Sequence, residues 1–69
     1  MSVEERMTVN LNRRGKTGLT RAMEATGDTK TDVVNRALEL YGRVTGRAAQ
    51  GDDLLLRDSQ GQLTQLLLF

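Results

Sequence analysis

The stretch RMTVNLN, residues 6–12, decides the fold because apolar and polar side chains alternate along it. Met7, Val9 and Leu11 are apolar, and polar residues separate them. This period of two residues predicts a half-buried β-strand. No second strand pattern lies near it, and an unpaired strand leaves its backbone N–H and C=O groups without partners. The segment is therefore expected to pair with a strand from elsewhere.

Residues 13–26 change to a helical period. Four residues recur on one helical face at the spacing i, i+3, i+4 and i+7: Leu19, Ala22, Met23 and Thr26. Asn12 is the predicted N-cap, and Gly27 occupies the position of a helix-terminating glycine. Gly15 and Gly18 each cost about 1 kcal/mol relative to alanine inside a helix, which favours a late or frayed start.

Residues 31–45 predict a longer amphipathic helix. Its apolar side is formed by residues that fall within one broad arc: Val33, Val34, Ala37, Leu38, Leu40, Tyr41 and Val44. Thr31 is the predicted N-cap, and Asp32 stabilises the positive end of the helix dipole. Gly46 is predicted to end the helix.

Residues 46–53 are interpreted as a linker, and the leucine-rich segment beyond it predicts a short β-hairpin. The tetrapeptide DSQG, residues 58–61, has Asp first and Gly fourth. This order is typical of a type I turn followed by a left-handed glycine. A final helix remains the alternative, because three leucines also have helical spacing: Leu63, Leu66 and Leu67.

The chain has 69 residues and contains no Cys, His, Pro or Trp. This composition excludes disulfides, thiol nucleophiles and histidine acid–base chemistry, and no carboxylate pair converges, so neither an enzyme nor a catalytic residue is expected. No metal site and no cofactor are expected, because Asp52, Asp53 and Asp58 do not have the spacing of a calcium loop. A domain of this size has a marginal core, which favours association with a second copy.

The charges are distributed unevenly, although the net charge is only +1. Residues 1–47 carry nine Lys or Arg and six Asp or Glu, whereas residues 48–69 carry one and three. A basic amino-terminal part suits a polyanionic partner. No apolar stretch approaches the length of a membrane span, and no secretory signal pattern opens the sequence. We therefore expect no membrane partner and a cytoplasmic protein.

Two copies of the chain can pair their amino-terminal strands as an antiparallel two-stranded ribbon across a two-fold axis. The apolar side of the ribbon and the helices would then form a shared dimer core: Met7, Val9, Leu11, Leu19, Met23, Val34, Leu38 and Tyr41. The opposite side of the ribbon presents Arg6, Thr8 and Asn10. Two-stranded ribbons fit the major groove of DNA, and these side-chain types recognise base edges there.

The start of the second helix is a predicted phosphate site. Thr29, Lys30 and Thr31 combine first-turn amides, the positive end of a helix dipole, a cation and two hydroxyls. Arg13 and Arg14 follow the strand directly and are expected to contact the DNA backbone as well. Contacts of this kind position a protein on the duplex without reading its sequence.

Together these segments resemble the ribbon-helix-helix DNA-binding proteins, the Arc/MetJ/CopG superfamily. The resemblance covers about residues 6–45 without gaps, through RMTVNLN at 6–12, Leu19 and Met23, GDTKT at 27–31 and ALELY at 37–41. It implies a mostly α, α+β fold: an intertwined homodimer with an amino-terminal inter-subunit ribbon. It also implies base contacts from Arg6, Thr8 and Asn10 and phosphate contacts from residues 29–31. Asp28 departs from this pattern, because its negative charge near a phosphate would weaken the contact.

The expected organisation is a DNA-binding and dimerisation domain at residues 1–46 and a leucine-rich extension at residues 47–69. The resemblance implies a repressor that binds (pseudo)palindromic double-stranded DNA, with dimers side by side on longer operators. The alternatives are an antitoxin whose carboxyl-terminal segment binds a toxin, and an accessory protein of plasmid transfer, partition or copy control. Three roles stay open for the extension: packing on its own dimer, forming higher oligomers on DNA, or adding strands to a partner protein.

Overall fold

A computed structural model describes residues 3–66 and shows two helices followed by an antiparallel hairpin. The elements are helix α1, Arg13–Thr26; helix α2, Lys30–Ala48; strand β1, Leu54–Arg57; and strand β2, Leu63–Leu66. The predicted α+β class is therefore confirmed. Both strands follow the helices, however, and none lies at the amino-terminal end of the described chain. Among the described residues, neither helix has the length and apolarity needed to traverse a bilayer.

The chain divides after Val33 into two compact units. Residues 3–33 hold the amino-terminal segment, α1, the turn after it and the first residues of α2. Residues 34–66 hold the rest of α2 and the hairpin.

The amino-terminal segment has no regular secondary structure from residue 5 to residue 12. The strand predicted there is absent from the single chain. A strand exists through its pairing, and no segment of the described chain pairs with this one. At the end of the segment, the backbone of Asn12 is extended, with φ −78° and ψ 179°.

Helix α1 has the predicted bounds and the predicted caps. The side-chain Oδ1 of Asn12 accepts a hydrogen bond of 2.7 Å from the Gly15 N–H. The expected late start is wrong, because glycine at position 15 lets the Asn12 side chain approach closely enough to cap the helix. A Cβ at this position would lie only 3.3 Å from Asn12 Oδ1. Gly27 ends the helix with φ 75°, and its N–H donates to the Met23 C=O at 2.8 Å. This is the left-handed glycine cap that the sequence indicated.

Helix α2 begins one residue earlier than predicted. The hydroxyl oxygen of Thr29 accepts from the Asp32 N–H at 3.2 Å, and the Thr29 C=O accepts from the Val33 N–H at 3.0 Å. Thr29 is therefore the residue that caps the helix, and Thr31 lies in its first turn. The prediction of Thr31 as N-cap is wrong because neighbouring threonines carry the same capping chemistry, and only backbone geometry selects between them.

Helix α2 also continues past Gly46, where the sequence predicted its end, and reaches Ala48. Gly46 has no positive φ, whereas Gly51 has φ 93°. The N–H of Gly51 donates to the Ala48 C=O at 3.0 Å, and the N–H of Asp52 donates to the Arg47 C=O at 3.1 Å. This pair of bonds is a Schellman closure. The linker predicted at 46–53 is therefore helix in its first residues and a helix cap in the rest.

The predicted hairpin is confirmed. Strands β1 and β2 pair from Leu54 opposite Leu66 to Arg57 opposite Leu63. The turn between them has Gly61 at φ 86°, and the Gly61 N–H donates to the Asp58 C=O at 3.1 Å. Asp58 Oδ1 also accepts from the N–H groups of Gln60 and Gln62, each at 2.9 Å. The alternative of a final helix is wrong over Leu63–Leu66, and Leu67 lies outside the described residues.

Candidate nucleic-acid interface

Three of the predicted base-contact and phosphate-contact residues, Arg6, Thr8 and Thr31, lie together in the amino-terminal unit. Arg6 and Thr8 line a shallow depression together with Thr31, which comes from the first turn of α2. Two residues that the sequence analysis did not single out, Val3 and Glu5, line it as well. Asn10, the third predicted base contact, does not line this depression; it is exposed further along the segment. The signal that could have identified Glu5 is its position next to Arg6 in the sequence.

Thr31 is the residue by which the first turn of α2 lines this depression. The Val33 N–H donates to the Thr29 C=O and the Asp32 N–H donates to the Thr29 hydroxyl, so Thr29 caps the turn that Lys30 and Thr31 open. Helix dipoles make such a terminus favourable for anions. Lys30 is exposed and adds a positive charge. The Thr29 hydroxyl is already used as the helix cap, so any phosphate contact from Thr29 has to share that oxygen.

Asp28 lies just before this terminus and is half-buried. Its N–H donates to the Thr26 hydroxyl at 3.1 Å, and that hydroxyl donates to the Ala22 C=O at 2.7 Å. Thr26 therefore joins the last turn of α1 to the residue that precedes the α2 cap. These bonds, with the left-handed Gly27, fix the direction in which the chain enters α2.

The start of α1 is strongly basic. Arg13 and Arg14 occupy its first turn, which contains no acidic residue, and both are exposed. Cations at the positive end of a helix dipole are destabilising by a few tenths of a kcal/mol to about 1 kcal/mol each. Arginine forks bind phosphate oxygens bidentately, so an anion at this position would remove the repulsion. The first turn of α1 is thus better suited to a bound polyanion than to water alone.

The residues predicted as a dimer core are not buried in the single chain. Met7, Val9 and Leu11 are 69%, 61% and 51% exposed. On α2, Leu38 is 60% and Tyr41 51% exposed. The remaining members of the set are the more covered ones: Leu19 and Met23, which are half-buried, and Val34, which is 40% exposed. No residue in the described part of the chain is fully buried.

Within residues 3–66, no three His, Cys, Asp or Glu side chains are grouped as a metal site would need. The described ion pairs include two on exposed side chains near the end of α2. Arg43 pairs with Glu39 at 2.9 Å, and Arg47 Nε pairs with Asp52 Oδ2 at 2.5 Å. The first pair joins helix neighbours at i and i+4 and the second closes the helix end, so both have a structural explanation.

No protein-family model, curated protein or solved structure matches the chain. The chemistry of the residues and their placement in the amino-terminal unit are therefore the features that indicate a function.

Proposed function

We propose that this chain is a sequence-specific double-stranded DNA-binding protein of the ribbon-helix-helix class, which works as a homodimer and represses transcription by occupying its operator. The observation that carries the proposal is the segment of residues 6–12. It alternates apolar and polar side chains, it has no strand partner in the described chain, and its apolar row is more than half exposed.

Dimerisation accounts for this exposed apolar row. Two segments paired antiparallel across a two-fold axis satisfy each other's backbone groups, and they place Met7, Val9 and Leu11 of both copies on one side. Full burial of each such side chain contributes about 1.5–3 kcal/mol. Leu38 and Tyr41 on α2 are also exposed in the single chain and complete the same core in the proposal.

The other side of the ribbon would read the DNA sequence. Arg6, Thr8 and Asn10 alternate with the apolar residues and so share the polar side. In the major groove, arginine recognises guanine, asparagine recognises adenine through two hydrogen bonds, and the threonine methyl contacts thymine. A two-stranded ribbon has the dimensions to enter that groove.

The helix starts would hold the backbone of the DNA. Thr31 shares a depression with Arg6 and Thr8, which supports a phosphate at the first turn of α2 beside bases contacted by the ribbon. Lys30, Arg13 and Arg14 add cations at the two helix starts. A two-fold dimer of this kind prefers (pseudo)palindromic operators, and its site of action would be the nucleoid in the cytoplasm.

Selection of bound duplexes from a random DNA pool tests the proposal, with the mass of the complex measured in parallel. We expect a (pseudo)palindromic consensus and an even number of chains per duplex. Asn10→Ala should remove the preference at one position in each half-site, because a bidentate contact contributes about 1–3 kcal/mol of discrimination. Asn35→Ala, an exposed asparagine on α2, is the control and should keep the consensus.

Two results would contradict the proposal. One is enrichment of no sequence at all from the pool. The other is an unchanged consensus for Asn10→Ala, which would remove the ribbon from the readout even if DNA binding itself persisted.

A further inference from the structure

Within residues 3–66, strand β1 pairs with β2 along one edge and with no strand along the other, and the hairpin turn determines which backbone groups lie on that second edge. The Asp58 N–H donates to the Gln62 C=O at 2.9 Å, so the backbone groups of Asp58 point toward β2. Along an antiparallel strand these directions alternate. Leu54 and Leu56 therefore direct their N–H and C=O groups to β2, whereas Asp53, Leu55 and Arg57 direct theirs away from it.

The hairpin also leaves much of its apolar surface uncovered. In the observed register, Leu54, Leu56 and Leu66 lie on one face, with Thr64 beside them. Leu56 remains 55% exposed and Leu66 39% exposed, and Leu55 on the other face is 48% exposed. An isolated two-stranded hairpin is marginally stable in water, and an unprotected edge is a template for another strand.

The free edge of β1 is self-complementary in charge when two copies of it run antiparallel. Asp53 and Arg57 each lie two residues from Leu55, one on either side. If two copies pair antiparallel about a two-fold axis through Leu55, Asp53 of each copy lies opposite Arg57 of the other. Opposite charges at directly facing positions stabilise a sheet.

The neighbouring symmetric registers lack this match. A shift of the axis to Leu54 places Asp53 opposite Leu55 of the other copy, and a shift to Leu56 does the same with Arg57. Neither register has a pair of opposite charges at directly facing positions. The charge pattern therefore favours a second copy of the chain as the partner, paired in the register centred on Leu55.

We propose that β1 pairs with β1 of a second copy in this register, giving a four-stranded antiparallel sheet in the order β2-β1-β1-β2. The six outward backbone positions, three from each copy, pair with one another, so the edge is satisfied. One face of this sheet carries six leucines and is available for further packing. The proposal concerns an association surface and is independent of whether the protein binds DNA.

Single-cysteine cross-linking tests the pairing, and the chain contains no cysteine of its own. Leu55→Cys places two thiols opposite each other on the axis, at a Cα separation of about 5.5 Å, within the range that a disulfide needs. Gln65→Cys is the matched control, because Gln65 faces Leu55 within the hairpin but lies on the outer strand. Its two copies would be three strand spacings apart, about 14 Å, too far to bridge.

Under mild oxidation, Leu55→Cys should form covalent dimers at least tenfold faster than Gln65→Cys. Equal rates would overturn the proposal, and so would faster cross-linking of Gln65→Cys, which would assign the pairing to β2. Monomeric Leu55→Cys on non-reducing gels, at concentrations where the wild type is associated, would also overturn it. The hairpin would then have a different occupant, such as an unrelated protein.

Charge reversal supplies a second, independent readout. Arg57→Asp and Asp53→Arg should each weaken association by about tenfold in sedimentation equilibrium, because each places like charges at two symmetric positions. The double variant restores both pairs in reversed order and should return to within a few-fold of wild type. Asp53 also lines a depression with Arg43 and Arg47 of its own chain. If Asp53 acted only within its own chain, adding Arg57→Asp to Asp53→Arg would not restore association. Absence of rescue in variants that retain wild-type far-ultraviolet circular dichroism would contradict the proposed register.

Discussion

Single residues set the limits of the elements in this chain, and Gly27 is the clearest example. It adopts φ 75° between α1 and the cap of α2, a conformation that costs a residue with a Cβ about 1–2 kcal/mol. Gly18, in the interior of α1, has no such requirement, since a Cβ there would meet nothing within 4 Å. The same amino acid is therefore a structural necessity at one position and a weakness at the other.

Replacement of these glycines by alanine should have opposite effects on stability. Gly27→Ala should lower the free energy of unfolding by about 1 kcal/mol or more, because of the left-handed backbone. Gly18→Ala should raise it by up to about 1 kcal/mol, because alanine is the better helix former. Urea unfolding at one fixed chain concentration measures both. Destabilisation by Gly18→Ala would show that this helix face is tightly packed in the assembled protein.

Lys30 is expected to act on affinity and leave specificity unchanged. Lys30→Ala should weaken binding to all DNA sequences alike and reduce the slope of log K against log salt by about 2, for one lost phosphate contact in each chain of a dimer. Arg43→Ala is the matched control, since Arg43 lies later in the same helix and pairs with Glu39. A change in the consensus for Lys30→Ala, or an equal loss of slope for Arg43→Ala, would contradict this assignment.

At the scale of the elements, short sequence motifs correctly predicted the helix caps and the hairpin turn. Asn12 and Gly27 fixed α1, and residues 58–61 fixed the hairpin, because caps and tight turns depend on a few adjacent residues. The end of α2 was predicted too early because Gly46 and Gly51 are both candidates for a helix-terminating glycine. Only Gly51 adopts the positive φ that this role requires. The amino-terminal strand is a different case. Its alternating pattern is local, but a strand forms only where a second strand pairs with it, and no described segment of the same chain does so.

The turn of the hairpin depends on one carboxylate oxygen. Asp58→Ala removes the acceptor for two backbone N–H groups and should weaken the hairpin by about 1–2 kcal/mol. Asp58→Asn keeps an acceptor oxygen and should retain most of the stability. Amide hydrogen exchange of residues 54–57 and 63–66 reports the difference. Equal exchange in the two variants would mean that the strands are held by contacts other than this turn.

For the whole molecule, the important property is that residues 3–66 contain no buried side chain. This explains why the candidate site could be predicted only in part. Thr31 meets Arg6 and Thr8 within one chain, so that part of the candidate site is visible, whereas the proposed ribbon and its apolar core would need a second copy. A sequence pattern records burial in the assembled state, and one chain alone does not show it.

Two leucines of α2 provide a test of the proposed dimer core. Leu38 and Leu40 are 60% and 62% exposed in one chain, but only Leu38 belongs to the predicted core. Leu38→Ala should lower the free energy of dimer unfolding by about 2 kcal/mol or more for each site, whereas Leu40→Ala should cost much less. Thermal unfolding across a range of chain concentrations measures both. Similar small effects would remove Leu38 from the core.

If the exposed apolar rows are covered by the proposed dimerisation, they also determine how the protein responds to its own abundance. Folding that needs a partner depends on concentration, so chains synthesised at a low level remain open to proteases, whereas chains above the dissociation constant protect one another. Turnover then falls as the protein accumulates. A cell that halves its synthesis would then lose more than half of the proposed dimer, and the protein would have a sharp threshold of action without any bound effector.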